Sequence, residues 1–211
     1  MRPALFDHAD FLGAARDLIV EHGPGAVTVG SIVARLKAPT GSFYHRFASR
    51  DLLLGELWLK TVLAYQEGFV AAIDAGDGLA AALHTARWVR ANLDDACLLL
   101  LYSRHDFVQG EWPKALKQGV AEQARRVIDC FERFARGSLG GADPERLRVA
   151  QFALADVPVA AVRPHLQRRE PPPPVVDDLI RTTYRAVIAR ARRRGSPAGA
   201  PRTGGRGGER T

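Results

Sequence analysis

Residues 28–50 read TVGSIVARLKAPTGSFYHRFASR, a basic stretch that contains no Asp or Glu. Its first half spaces apolar residues at i, i+3, i+4 and i+7, as on one buried face of a helix: Val29, Ile32, Val33 and Leu36. Thr28, directly ahead of them, is a natural N-cap. Because Pro39 lacks an amide hydrogen and pushes Ala38 out of the α region, this helix must end at the turn. Another helix can begin only after it.

The segment that follows, residues 40–47, predicts about two turns of helix. Phe43 and Phe47 are four residues apart, so both can anchor inward. The side chains left on or near the opposite face are small, hydroxylated or basic: Thr40, Gly41, Ser42, Tyr44, His45 and Arg46. A helix that enters the major groove of DNA needs small groups for close approach and hydrogen-bonding groups for base edges and phosphates. The stretch therefore has the layout of a DNA-reading helix-turn-helix.

A further helix is predicted from the cap residue Ser49, with Asp51 favourably placed in its first turn. Arg50, at the start of that helix, is positioned to meet a phosphate. We expect Thr40 and Ser42 to face base edges and the later residues to make phosphate or mixed contacts. The predicted DNA-binding residues are Thr28, Thr40, Gly41, Ser42, Tyr44, His45, Arg46 and Arg50.

The flanking sequence adds a resemblance to a known family. Four segments carry it: FLGAARDLI at 11–19, HG at 22–23 leading into VTV at 27–29, GSFYHRF at 41–47 and SRDLL at 49–53. With these residues the chain resembles the N-terminal DNA-binding domain of the TetR family of transcriptional regulators, over about residues 5–60. It departs from the family pattern at the turn, where Lys37 replaces the usual Gly and Pro39 the usual polar residue.

This resemblance implies a repressor that binds a palindromic double-stranded DNA operator and is released by a small-molecule effector. It also implies a homodimer with a four-helix interface, built from about residues 143–162 and 175–193. A suitable apolar stripe in the last helix consists of Leu179, Ile180, Tyr184, Val187 and Ile188. A dimer is expected on other grounds as well, because a half-site reader needs a partner one helical turn of DNA away.

Length and composition set wider bounds. With 211 residues, 46% of them apolar, the chain can form a small DNA-binding domain plus one larger core. It has no apolar run of roughly 18 residues and no signal-peptide core, so we expect a cytoplasmic protein without a membrane segment. Of the net charge of +7, residues 190–211 contribute +6. This end of the chain is either a basic arm on DNA or a disordered extension, and its composition favours the extension.

Helical patterns continue beyond Leu52, with breaks at Gly, Pro and capping residues. The predicted helices cover about residues 49–75, 79–92, 97–101, 112–137, 143–162 and 175–193. We expect Asp94 or Asp95 to cap the third of these helices. Residues 104–110 are predicted to form a loop or a short break, and Pro158 and Pro164 to kink or stop the fifth helix.

The pattern contains no strand alternation and no hairpin signal, so the predicted fold class is all-α. We predict a three-helix helix-turn-helix DNA-binding domain at residues 1–48. A larger helical effector-binding and dimerisation domain follows at residues 49–194. Residues 195–211 are predicted to form a disordered tail rich in Gly and Arg.

Catalytic motifs are missing from the sequence. The chain lacks a P-loop, a dinucleotide-binding glycine fingerprint and a nucleophile elbow. His105 and Asp106 have no nucleophile or third orienting group beside them. Cys97 and Cys130 lack metal-site spacing and lie in apolar patterns, so we interpret them as reduced core cysteines rather than a redox-sensing pair. We therefore expect no enzyme activity, no metal and no cofactor.

Aromatic residues in several predicted helices point to a ligand site, since helical bundles bind small molecules between helices. We predict that a small, largely apolar effector contacts Tyr65, Trp88, Tyr102 and Trp112, although aromatics at helical spacing more often pack in a core. Two functions stay open: a ligand-responsive regulator, and a helical small-molecule-binding protein whose helix-turn-helix has lost DNA binding. The predicted DNA-facing positions carry no acids, which favours the regulator.

Overall fold

The computed structural model describes residues 6–108 and 111–195. Its elements are α1 (His8–His22), a 3-10 turn (Pro24–Ala26), α2 (Val29–Leu36), α3 (Thr40–Tyr44), α4 (Arg50–Asp74), α5 (Gly78–Ala91), α6 (Leu93–Leu101), α7 (Arg104–Phe107), α8 (Lys114–Leu139), α9 (Pro144–Gln151), a π-helical turn (Phe152–Asp156), α10 (Val157–Gln167) and α11 (Val175–Gly195). These two ranges contain no β-strand, which confirms the all-α prediction. The predicted tail lies outside them, except for Gly195 at the end of α11.

Side-chain caps begin several helices where the sequence predicts them. The Thr28 hydroxyl accepts a hydrogen bond from the Ser31 amide at 3.0 Å, and the Thr28 amide donates to the Ser31 hydroxyl at 2.8 Å. Ser49 caps α4 and Asp143 caps α9, each by accepting hydrogen bonds from amides of the following turn. Each capping side chain binds an amide two or three residues ahead of it, so these helix starts are encoded locally. Such a cap contributes about 1 kcal/mol.

Two predictions around α6 and α7 were wrong. Helix α6 begins at Leu93, so Asp94 and Asp95 lie in its first turn, where carboxylates interact favourably with the helix dipole, instead of capping it. Residues 104–107 form one helical turn where a loop was expected. The turn is held by hydrogen bonds from the Ser103 amide and hydroxyl to Asp106, at 2.6 and 2.8 Å.

The prolines after α9 do not stop the helix, so that alternative of the prediction was wrong. Pro158 cannot donate an amide hydrogen to the preceding turn. A π-helical turn lies just ahead of it, in which the Val157 amide donates to the Phe152 carbonyl, and this longer hydrogen bond accommodates the irregularity. Pro164 lies inside α10. Residues 144–167 therefore run as one continuous helical segment.

The side chains pack into two hydrophobic cores. The first joins α1, α2, α3 and the N-terminal part of α4, and it includes Leu98, Phe107 and Val120 from later elements. The second lies among the C-terminal part of α4, α5, α6, α8, α9, α10 and α11. Helix α4 contributes residues from 53 to 62 to the first core and from 69 to 73 to the second. The first core thus extends beyond residue 48, the predicted end of the N-terminal domain.

The last helix buries much of its predicted interface stripe inside the protomer. Ile180 and Ile188 are 1% and 4% exposed, and Tyr184 packs against Phe134 with 6.5 Å between ring centroids. Of this stripe only Leu179, at 59%, is exposed. Ile180 and Ile188 are therefore not available to a partner, because α11 also packs on α5 and α8 of its own chain.

Phe134 and Tyr184 pack closely against Gly78, the first residue of α5, so a substitution at Gly78 tests this packing. A Cβ atom there would lie 2.3 Å from both the Phe134 ring and the Tyr184 hydroxyl. We expect Gly78→Ala to lower the free energy of unfolding by about 1–3 kcal/mol, measured by urea denaturation. Gly13→Ala in α1 is the matched control, because nothing lies within 4 Å of its Cβ position. It should raise stability by up to about 1 kcal/mol, and equal stabilities of the two variants would contradict the packing.

Candidate DNA-binding surface

An aromatic cluster fixes α3 against α1. Phe11, Phe43 and Phe47 are fully buried, and their ring centroids lie 5.6 to 6.2 Å apart. His8 stacks on Phe47 at 4.3 Å. The predicted inward anchoring of Phe43 and Phe47 is confirmed. Since α3 has only five residues and a helix this short is unstable alone, the aromatic cluster is what holds it in place.

The opposite face of α3 and its C-cap is open to solvent. Four predicted DNA-binding residues are exposed there: Thr40, Gly41, Tyr44 and His45. The Tyr44 ring lies edge-on to Phe43 at 5.3 Å, yet the residue is 58% exposed. A buried ring thus supports an exposed ring, and the structure brings these four residues together in one patch.

Two other predicted hydroxyl groups have partners within the protein. Ser42 is half-buried, and its hydroxyl donates to the Pro39 carbonyl at 2.6 Å. Thr28 is exposed at the start of α2, where its hydroxyl belongs to the capping box with Ser31. A hydroxyl can donate one hydrogen bond and accept two, so both groups can still accept a further hydrogen bond. Their hydrogen bonds in this structure stabilise the turn and the start of α2.

Arg46, a predicted phosphate contact, donates to backbone carbonyls of its own chain in this structure. Its guanidinium lies 5.6 Å from the centre of the Phe11 ring. It donates to the Ser42 carbonyl at 3.0 Å and to the Phe6 carbonyl. The side chain therefore joins the end of α3 to the segment before α1.

Arg50 is engaged in a similar way. Its guanidinium donates to the Pro24 carbonyl at 2.9 Å, to the Val27 carbonyl and to the Asp51 carboxylate at 3.1 Å. The side chain is only 30% exposed. Arg50 thus clamps the 3-10 turn before α2 to the start of α4, a role that the sequence did not reveal.

The family comparison agrees with this architecture. The profile of the tetR family of bacterial regulatory proteins matches residues 11–57. Over these residues the chain is similar to that family. No curated protein sequence matches the chain.

Solved structures share the fold over most of this chain. A structure described as a TetR-family transcription regulator from Shewanella sp. PV-4 is 22% identical, with a TM-score of 0.60 over 87% of this chain and 96% of its own. A transcriptional regulator from Aquifex aeolicus VF5 is 14% identical, with a TM-score of 0.59 over 85% and 98%. FadR from Bacillus subtilis, solved with stearoyl-CoA, is 11% identical, with a TM-score of 0.61 over 87% and 98%.

The structure does not bring the four predicted effector residues together. Tyr65 and Trp88 pack edge-to-face in the second core, with 5.2 Å between ring centroids. Trp112 packs on Trp58 at 5.3 Å in the first core. Tyr102 lies against the turn that follows α1. The four residues thus divide between the two cores, two in each, which does not support one pocket lined by all of them.

The surroundings of Tyr65 are polar as well as aromatic. Its hydroxyl lies 2.8 Å from the Thr85 hydroxyl, and its carbonyl lies 2.7 Å from Nε2 of His84. Burial raises the pKa of the Tyr65 phenol and lowers the pKa of the His84 imidazole. Both groups are thereby kept neutral, as suits a partly polar contact between α4 and α5.

Sequence reasoning missed Gln66, which is 3% exposed on α4. Among the described residues its Oε1 has no hydrogen-bond donor, and the buried Nε1 of Trp112 has no acceptor. A buried polar atom left unpaired costs about 1–3 kcal/mol, so both atoms are candidates to bind a ligand. The signal was present in the sequence, because Gln66 occupies an apolar helical position between Val62 and Phe69.

Neither a metal site nor a membrane span is found in the part of the chain that the structure describes. No three His, Cys, Asp or Glu side chains within it are grouped to hold a metal ion. No described helix is both long and apolar enough to cross a bilayer. Cys97 and Cys130 are buried, unpaired thiols whose pKa values are raised by burial, as in core cysteines.

Replacing Arg50 tests its role as a clamp. Arg50→Ala removes the donor for the Pro24 and Val27 carbonyls and should lower the free energy of unfolding by about 1–3 kcal/mol. Arg87→Ala on α5 is the matched control, since Arg87 is exposed and makes no side-chain hydrogen bond among the described residues. It should change stability by less than about 0.5 kcal/mol. Chemical denaturation followed by circular dichroism measures both, and wild-type stability of Arg50→Ala would refute the clamp.

Proposed function

We propose that this protein is a transcriptional repressor that binds a palindromic DNA operator as a homodimer and releases it when a small-molecule effector binds. The observation that carries the proposal is the exposed patch on α3, held by the buried aromatic cluster. Thr40 and Gly41 leave room for close approach to base edges. Tyr44 and His45 supply hydrogen-bonding groups for phosphates. No acidic residue occurs between residues 28 and 50 to repel DNA.

Replacing Tyr44 tests the DNA-binding patch. We expect Tyr44→Ala to weaken DNA binding at least about five-fold, the equivalent of about 1 kcal/mol for one lost hydrogen bond. Stability should change little because the side chain is 58% exposed. The measurement is fluorescence anisotropy with duplex DNA that the wild-type protein has selected from a random-sequence pool. Leu63→Ala, at another exposed apolar position, is the control.

Two outcomes of this experiment would count against the proposal in different ways. If the wild-type protein enriches no sequence from the pool, specific DNA binding is refuted. A helical ligand-binding protein that has lost DNA recognition would then be the better description. If the pool is enriched but Tyr44→Ala binds like the wild type, the assignment of the patch is wrong while DNA binding stands.

Exposed apolar side chains support the dimer. Phe152 in the π-helical turn is 44% exposed, and Val175 and Leu179 on α11 are 56% and 59% exposed. All three lie on the two helical segments, residues 144–167 and 175–195, that the family resemblance assigns to a dimer interface. We propose that the partner covers this face, so that the two α3 helices can read half-sites about 34 Å apart.

A charge at Leu179 tests this interface. Leu179→Glu would bury a carboxylate against the partner and should raise the dimer dissociation constant at least about a hundred-fold, because a buried unpaired charge costs several kcal/mol. Ile128→Glu on α8 is a matched control, with 57% exposure outside the proposed interface. Light scattering after size-exclusion chromatography gives the masses. A monomeric wild type at micromolar concentration would refute the dimer.

The effector is proposed to act through α4, which begins at the DNA-binding surface and ends in the second core. An effector releases DNA only if it binds the released form more tightly than the DNA-bound form. The unpaired atoms of Gln66 and Trp112 suit a largely apolar molecule with a few polar groups. Since Bacillus subtilis FadR was solved with stearoyl-CoA, acyl thioesters are a reasonable class to screen first. Compounds found by thermal shift should also lower DNA affinity, and stabilisation without DNA release would contradict this mechanism.

A further inference from the structure

The turn of the helix-turn-helix holds a lysine in the left-handed conformation. Lys37 has φ 53° and ψ 37°. The Ala38 amide donates to the Val33 carbonyl at 2.9 Å and the Lys37 amide to the Ala34 carbonyl at 3.2 Å, which is the Schellman arrangement at the end of α2. Glycine is the usual residue at such a position because a Cβ atom disfavours it. Lysine also lacks the short polar side chain by which Asn or Asp stabilises this conformation.

Lys37 is also the one permanently charged side chain of residues 28–50 that has no hydrogen-bond or ion-pair partner in the described part of the chain. Arg35 pairs with both oxygens of Glu21, and its hydrogen bonds lower the pKa of that carboxyl. Arg46 and Arg50 donate to backbone carbonyls. Histidine is charged only when protonated, so His45 is not an equivalent cation.

The position of Lys37 suits a phosphate contact. It is exposed and lies three residues before Thr40, in the turn that leads into α3. When the N-terminal end of a recognition helix lies in the major groove, the DNA backbones run along both sides of it. A compact charge on a flexible four-carbon stem at this turn can reach those phosphates.

We propose that Lys37 is the principal phosphate-contacting cation of the helix-turn-helix, and that its strained backbone is retained because the contact requires a charged side chain there. The proposal rests on the DNA binding proposed above. It assigns opposite roles to two kinds of cation: Arg50 stabilises the fold, whereas Lys37 destabilises the turn and serves the DNA. Strain of this kind is characteristic of functional positions.

Four variants separate the strain from the charge. Lys37→Gly removes both, and Lys37→Asn removes the charge but tolerates the left-handed backbone. Lys37→Arg keeps the charge. Lys114→Gln removes an exposed lysine at the start of α8, away from the turn, and serves as the charge control. Each variant is made in the 211-residue chain, so residues 196–211 are the same in all of them.

The probe is duplex DNA selected from a random pool by the wild-type protein, and affinity is measured over a series of salt concentrations. Lys37→Gly and Lys37→Asn should each bind about eight-fold more weakly per subunit at about 0.1 M monovalent salt. The slope of log affinity against log salt should become shallower by about one unit per subunit. Lys37→Gly should also melt about 2–4 °C higher than the wild type. Lys37→Arg and Lys114→Gln should keep the wild-type slope.

The failure of this inference is distinguishable from the failure of the proposed function. If the wild type binds selected DNA and both uncharged Lys37 variants keep its affinity and slope, Lys37 is not the phosphate contact and DNA binding stands. A melting temperature of Lys37→Gly at or below that of the wild type refutes the strain. If the wild type selects no DNA, the proposed function fails and the role of Lys37 fails with it.

Discussion

The unbroken backbone of α4 is the constraint on which the two halves of the molecule depend. Its first turns complete the aromatic core beneath α3, and its last turns belong to the core of the larger helical region. A helix of 25 residues is stiff along its hydrogen-bonded axis, so repacking at one end changes the direction of the other. The Arg50 clamp extends this connection to the turn before α2. A few further contacts join the halves: Arg16 to Asp95, Tyr102 to the turn after α1, and Arg169 to the Val20 carbonyl.

The positively charged side chains near α3 are of two kinds: arginines that donate to backbone carbonyls, and a lysine with no partner among the described residues. The difference follows from the need of backbone carbonyls for hydrogen-bond donors. Carbonyls in short turns have no helical partner, and a half-buried carbonyl needs a donor. Arg50 supplies that donor for the 3-10 turn, as Arg46 does for the segment before α1. A guanidinium has five N–H donors in a planar fork and can serve several carbonyls at once, whereas an ammonium is a point charge. It follows that the arginines hold the domain together, whereas Lys37 has no hydrogen-bond or ion-pair partner among the described residues.

The second half of the chain shows the same competition between internal and external partners. The apolar residues of α11 fall on more than one face. Ile180 and Ile188 complete the core of the protomer, while Leu179 and Val175 remain exposed. The continuous helical segment from α9 to α10 packs along α11, and the π-helical turn ahead of Pro158 makes that continuity possible. An apolar stripe in a sequence therefore predicts that a helix packs against something. It does not show whether the stripe packs within the protomer or against a partner subunit.

The sequence by itself determined the all-α class, the helix-turn-helix, the capping of α2, α4 and α9, and the burial of Phe43 and Phe47. These features depend on residues within one or two helical turns of each other, so their spacing is visible in one dimension. Only the tertiary structure decided that Arg46 and Arg50 point to carbonyls and that the four effector candidates divide between two cores. It also decided that Gln66 is buried with no donor to its Oε1 among the described residues. The carbonyl of Phe6 is 40 residues from Arg46 in the sequence. The carbonyls of Val27 and Pro24 are 23 and 26 residues from Arg50. Which distant groups meet is set by how whole helices pack, and no local pattern records it.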